Sequence, residues 1–160
     1  MAAKKEKTSH PDRLVVARNR RARFDFQLEA IVEAGIVLVG TEVKSLRQGS
    51  ASLQQAWCRA EDGDIWLVDA NIPAYAAGSW TNHEPNRKRK LLLHRRQIKK
   101  ISQELKLRGR TLIPLELYFN ESGRVKIEIA LALGRKHHDK RQAVADRESK
   151  REMERGRGRS

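Results

Sequence analysis

The sequence predicts a mainly β protein: a small antiparallel barrel with about three peripheral helices and a C-terminal tail that is disordered when free. Three observations carry that expectation. Apolar and polar residues alternate from Phe24 onward, two turn signals each separate a pair of β-prone runs, and apolar content stops abruptly at Gly134. With 160 residues, one domain plus tails is the natural organisation.

The elements follow in order. The first 13 or so residues lack periodicity, and residues 1–16 read as a basic disordered arm. Residues 17–133 form the folded body. Phe24, Phe26 and Leu28 alternate with Asp25, Gln27 and Glu29, the period of a half-buried strand. The run continues through "AIVEAGIVLVG", where Gly35 predicts a bulge or sharp bend. "GTEVKSLRQG" reads as a short helix with Thr41 as its cap and Glu42 suited to its N-terminus. Lys44 and Arg47, three apart, would face outward together. "LQQAWCRAEDGDIWLVDANI" is a hairpin turning at Asp-Gly. Leu91, Ile98, Ile101 and Leu105 recur at helical spacing, which predicts a helix or broken helix pair over roughly Arg89–Leu107. "RGRTLIPLELYFNESGRVKIEIALALG" is a second hairpin turning at "NESG". Five or six strands in hairpins with about three helices describe a barrel of the oligonucleotide-binding type.

Residues 134–160 have too little apolar content to offset the roughly 1–2 kcal/mol per residue that ordering a backbone costs. They contain good helix formers and no proline, so the tail is expected to become helical where another surface supports it.

Charge narrows the function classes. Lys and Arg number 34 against 20 Asp and Glu, a formal +14. The excess sits in three blocks: +6 over residues 1–23, +8 over 86–100 and +5 over 134–160, leaving a body of −5. Such segregation points to a polyanion, because Lys and Arg release condensed counterions from phosphates. Nucleic acid is the first candidate and an acidic membrane surface the competing one. The longest apolar runs fall far short of the roughly 20 residues a membrane helix needs. "MAAKKEKTSHPDR" has no apolar core of a secretion signal. The single cysteine, Cys58, forms no internal disulfide and fits a reducing cytoplasm.

Catalytic and metal chemistry find little support. Adjacent His137 and His138 point in different directions in a helix or a strand and chelate one ion poorly. No Gly-x-Ser-x-Gly elbow, phosphate-binding loop or paired carboxylates within an apolar run occur. Cys58 reads as a core thiol without an activating base. No metal, cofactor or enzymatic activity is expected.

RNA binding is better supported. Arg18, Asn19, Arg20, Arg21 and Arg23 precede the first predicted strand, and "NRKRK", with Arg89 and Lys90, precedes the basic helix; both are placed to clamp a phosphate backbone. Asn19 and Asn71 are candidates for reading base edges or 2′-hydroxyls, and Tyr75, Trp80 or His83 for stacking. Trp57 and Trp66 are expected in the core. Only eight aromatic residues occur, which favours a folded, backbone-rich RNA over a long single strand.

"NRRARFDFQLEAIVEAGIVLVGTEVKSLRQG", "DANI", "RKRKLLLHRRQI" and "GRKHHDKR" together resemble the SmpB (small protein B) family, bacterial tmRNA-binding proteins of trans-translation. The resemblance runs from about Ala17 to Arg151. It implies a closed six-stranded barrel with three helices and a tail. It also implies a non-enzymatic, monomeric, cytoplasmic protein that binds the tRNA-like domain of tmRNA (SsrA RNA). That protein supports alanylation by alanyl-tRNA synthetase and travels with elongation factor Tu and GTP to stalled ribosomes. The tail would occupy the empty mRNA channel beyond the decoding site. By motif, Asn19, Glu33 and Leu92 match positions implicated in tmRNA binding. Asp139, Lys140 and Arg141 match the signature needed for accommodation on the ribosome, with Lys136 in the same block and His138 placed to meet decoding-site RNA. The alternative is a structural or assembly-factor RNA-binding protein of the ribosome.

Overall fold

The computed structural model describes residues 13–77, 82–107, 109–134, 147, 150 and 151. Among them the elements run β1 (Leu14–Arg18), α1 (Ala22–Asp25), β2 (Phe26–Ile36), α2 (Gly40–Arg47), β3 (Trp57–Glu61), β4 (Asp64–Val68), β5 (Arg89–Leu92), α3 (Arg95–Leu105), β6 (Arg110–Phe119) and β7 (Val125–Gly134). Strands β6, β3, β4, β5, β2 and β7 form a ring that closes through the β6–β7 pairing. Every pairing is antiparallel. The expected six-stranded barrel with three helices is therefore present, and β1 adds a seventh strand on β6.

Both turn signals fold as the sequence indicates. Asp62 and Gly63 take φ of 52° and 77°, the pair of positive values a two-residue hairpin turn requires. In the second hairpin Asn120 Oδ1 accepts the backbone N–H groups of Ser122 and Arg124, and Gly123 takes the left-handed position.

Alternation along the strands turns Ile65, Leu67, Leu91, Leu112, Leu117, Ile127 and Ile129 into the barrel, each at most 1% exposed. Helix α2 leaves the C-terminal end of β2 and contributes Leu46. Helix α3 leaves the C-terminal end of the antiparallel β5 and contributes Ile98 and Ile101, so the two helices cover opposite ends of one core. A smaller cluster of Ala22, Ile113, Ala130 and Ala132 lies where α1 packs on β6 and β7. Cys58 is a buried core thiol, and burial pushes its pKa up.

Several local expectations are corrected. Residues Leu14–Arg18 form β1, so residues 14–16 are strand and not part of the expected disordered arm. Phe24 belongs to a single helical turn, because Asp25 N–H and Phe24 N–H both return to Arg21 O before β2 begins. The cap of α2 is Val39: its N–H donates to Glu42 Oε1 at 2.9 Å, and Thr41 instead bonds His83 Nδ1. The β2 bulge falls between Leu28 and Ala30 rather than at Gly35. Gly35 faces Lys126 on one side and Leu92 on the other, where β2 changes partner from β7 to β5. A Cβ there would lie 3.3 Å from Leu92 Cβ, so glycine permits the close approach.

The largest difference concerns the predicted helix over Arg89–Leu107. Arg89–Leu92 is a strand held between β4 and β2, and the helix starts only at Arg95. Trp57 and Trp66 also lie outside the core, on the outer face of β3 and β4. Trp57 is 39% exposed and Lys88 Nζ lies 4.5 Å above the Trp66 ring.

Candidate nucleic-acid interface

The strand register carries three predicted RNA-contact residues to one outer face of the barrel. Arg18 pairs with Glu116, Glu116 with Glu128, and Glu128 with Glu33, so one cross-strand row spans β1, β6, β7 and β2. The next row on the same face is Val15, Tyr118, Lys126, Gly35 and Leu92. Leu92 is 52% exposed although most of its neighbours in sequence are not. Asn19 stands at the other margin. Its N–H donates to Leu115 O at 2.8 Å and its Nδ2 to Pro114 O at 3.0 Å. Those bonds fix the chain where β6 bulges beside a proline that donates nothing.

Three in-register carboxylates would repel one another, and Arg13 resolves this. Its guanidinium lies 3.7 Å above the Tyr118 ring, with Nη1 3.1 Å from Glu116 and 3.3 Å from Glu128. Its Nη2 is 3.9 Å from Glu33. Tyr118 donates its hydroxyl to Glu33 Oε2, and burial followed by this hydrogen bond pushes the phenol pKa up. Glu33 is thus an oriented acceptor rather than a loose surface charge. Arg18 Nε adds a 3.2 Å bond to Glu116. Arg20, Arg21 and Arg23 are exposed beside this face, and Asn19, Arg20 and Arg23 line a pocket of about 220 Å³ with Glu116 and Glu128.

The remaining predicted residues are spread more widely. Lys90 is half-buried in β5 and lies 3.6 Å from Asp64. Lys44 and Arg47 are exposed on α2, at one end of the barrel, above the Tyr75 and Phe119 rings respectively. Arg89 is corrected: it clamps no external phosphate, because its side chain is fully buried. Its Nε donates to Glu42 Oε2 at 2.6 Å, and its other nitrogens reach the carbonyls of Ala70, Pro85 and Arg87. Glu42, also fully buried, receives Arg87 and the Val39 N–H as well. Burial alone would raise the Glu42 pKa, but the hydrogen bonds from Arg87, Val39 and Arg89 outweigh it and hold the carboxyl below its ordinary range.

Sequence reasoning missed Arg13, Glu116, Tyr118, Lys126 and Glu128. Lys126 and Glu128 were legible as the outward residues of "VKIEI"; the Arg13 link, over 103 residues to Glu116, left no local signal. Trp80, Lys136, His137, His138, Asp139, Lys140 and Arg141 lie outside the described residues. Arg147, Lys150 and Arg151 are helical and exposed, with the Arg147 guanidinium 5.2 Å from the Phe24 ring. Among the described residues no three His, Cys, Asp or Glu side chains converge as a metal site, and no helix is long and apolar enough to cross a membrane.

The family model described as SmpB protein matches residues 16–159. An SsrA-binding protein of Thermobifida fusca is 52% identical over 155 residues, covering 97% of this chain and 96% of its own. The SsrA-binding protein of Mycolicibacterium gilvum is 50% identical over 159 residues, covering 99% and 96%. A chain in the solved structure described as "tmRNA-SmpB: a journey to the center of the bacterial ribosome" superposes with a TM-score of 0.66. It is 43% identical and covers 79% of this chain and 92% of its own. The barrel, the near full-length identities and the family match agree, and the chain belongs to the SmpB family.

Proposed function

We propose that the protein binds the tRNA-like domain of tmRNA and acts in trans-translation, without catalysing a reaction itself. The observation that carries this reading is the shared face of Asn19, Glu33 and Leu92, flanked by Arg18, Arg20, Arg21 and Arg23. Cations at the margin suit phosphates, whereas an oriented carboxylate and an exposed leucine suit 2′-hydroxyls, base donors and sugar surfaces inside a folded RNA. The naming of close relatives as SsrA-binding proteins supports the choice of RNA.

In this reading the bound protein supports alanylation by alanyl-tRNA synthetase and accompanies tmRNA with elongation factor Tu and GTP to the stalled ribosome. The tail, with Lys136, His138, Asp139, Lys140 and Arg141, lies in the empty mRNA channel. If helical, 27 residues span about 40 Å at 1.5 Å per residue, enough to probe such a channel. An mRNA in the channel is a competing polyanion, so occupancy rather than sequence would control entry. The protein works as a monomer in the cytoplasm.

Leu92→Ala and Glu33→Gln test the face with little expected loss of fold. Leu92 is half-exposed, and a glutamine oxygen still accepts the Tyr118 hydroxyl. Each is expected to weaken binding of the tRNA-like domain by about tenfold or more at moderate salt, as central interface residues do. Unchanged affinity in folded variants contradicts the assignment. Arg20→Ala and Arg23→Ala are each expected to lower the slope of log affinity against log salt by about one.

A further inference from the structure

A polar depression away from the Glu33–Leu92 face has the makings of a nucleobase site. Ser52, Gln55, Asp69, Asn71 and Asn86 line a cavity of about 450 Å³, within the roughly 300–1,000 Å³ of small-ligand sites. The chain holds this geometry by defined bonds. Ser52 and Asn71 exchange backbone hydrogen bonds at 2.9 and 3.0 Å, and Asn71 Nδ2 donates to Asn86 Oδ1 at 2.9 Å. The second bond leaves Asn86 Nδ2 with its two donor hydrogens and Asn71 with its side-chain acceptor.

Asp69 is the unusual member. It is a non-glycine residue at φ 58°, a conformation that sheds stability and that aspartate tolerates better than most residues. Its Oδ2 accepts the Trp57 indole N–H at 3.3 Å. That bond ties the carboxylate to the most exposed tryptophan of the described residues, with the Arg59 guanidinium 5.8 Å from the same ring. A carboxylate has about four lone-pair sites, so one bond to Trp57 leaves capacity for more.

We propose that this depression accepts a single unstacked guanine of RNA. The base stacks on Trp57, its N1–H and N2–H donate to the Asp69 carboxylate, and its O6 accepts from Asn86 Nδ2. Guanine fits because it alone among the four bases offers two adjacent donors to one carboxylate beside an acceptor. Adenine, cytosine and uracil each offer a single donor position on that edge. The stack is one base deep, consistent with a protein otherwise poor in aromatics. This inference rests on the reading of the chain as an RNA binder but uses a different surface from the tmRNA face.

The test titrates the full-length protein with two hexanucleotides, UUGUUU and UUAUUU, following tryptophan fluorescence at fixed low salt. The two carry equal charge, so nonspecific binding to the basic segments cancels in their ratio. The expected result is binding of the guanine strand tighter by about tenfold, as a bidentate base contact gives. Asp69→Asn keeps an acceptor for Trp57 and Asn86→Asp keeps the acceptor for Asn71, yet each removes one element of the guanine match. Both should reduce the ratio to near one while circular dichroism and affinity for the tRNA-like domain measured through the Leu92 face stay in place. Equal binding of the two strands by the unaltered protein, or a guanine preference that survives Asp69→Asn, overturns the proposal. Loss of tRNA-like-domain binding in Leu92→Ala with the hexanucleotide preference intact separates the two sites.

Discussion

Glu42→Gln is expected to lower the unfolding free energy by about 3–5 kcal/mol, the cost of leaving a buried charge without its partner. Arg89 would keep its charge in a site with no solvent contact, while its donors to Ala70, Pro85 and Arg87 carbonyls cannot neutralise it. The pair joins α2 to β5 and to the connection before it, segments 47 residues apart in sequence. Thermal unfolding should therefore shift downward by on the order of 10–20 °C, and denaturant titration should give the free-energy loss directly. A loss below about 1 kcal/mol contradicts the reading of this pair as the anchor of the barrel end. The pH dependence has the same origin. The folded-state Glu42 pKa lies below its unfolded value, so its contribution is complete above the ordinary glutamate range. It is lost as pH falls below that range and through the lowered folded value. In Glu42→Gln that part of the acid sensitivity should be absent.

Truncation after Gly134 is expected to abolish peptide tagging on stalled ribosomes while leaving affinity for tmRNA nearly intact. The tail carries +5 and begins where β7 ends, whereas the Asn19, Glu33 and Leu92 face is complete within residues 13–134. Removing the tail leaves every strand pairing of the ring in place. Tagging in a reconstituted translation system and filter binding with the isolated tRNA-like domain measure the two functions separately. Equal loss of both would sink the division of labour between barrel and tail.

The elements best legible in the sequence were those fixed by local chemistry. Asp62-Gly63 and Asn120–Gly123 specify their own turns, and alternation in "VKIEIALAL" specifies β7. What failed was set by partners distant in the chain. Leu91 and Ile98 share a helical spacing, but Leu91 pairs with Ile36 and Ile65, and those ladders make it strand. Arg89 sits in a run of cations that reads as solvated, and only Glu42 on α2 explains its burial. Leu14–Arg18 looks like the end of a charged arm until β6 offers an edge. Trp57 and Trp66 have the hydrophobic bulk of core residues, yet their strand register turns them outward beside Arg59 and Lys88. The candidate site shows the same division: the arginines beside Asn19 were visible as a cluster, but the row joining Glu33 to Glu128 and Glu116, with Tyr118 in the row beside it, exists only through register.

Sequencing the RNA that co-purifies with the tagged protein shows whether this face selects tmRNA. Selection by this face requires strong enrichment of tmRNA with the unaltered protein and its loss with Leu92→Ala. Recovery of ribosomal RNA from intact subunits at high salt, with no enrichment of tmRNA, would contradict it and favour a structural ribosomal role.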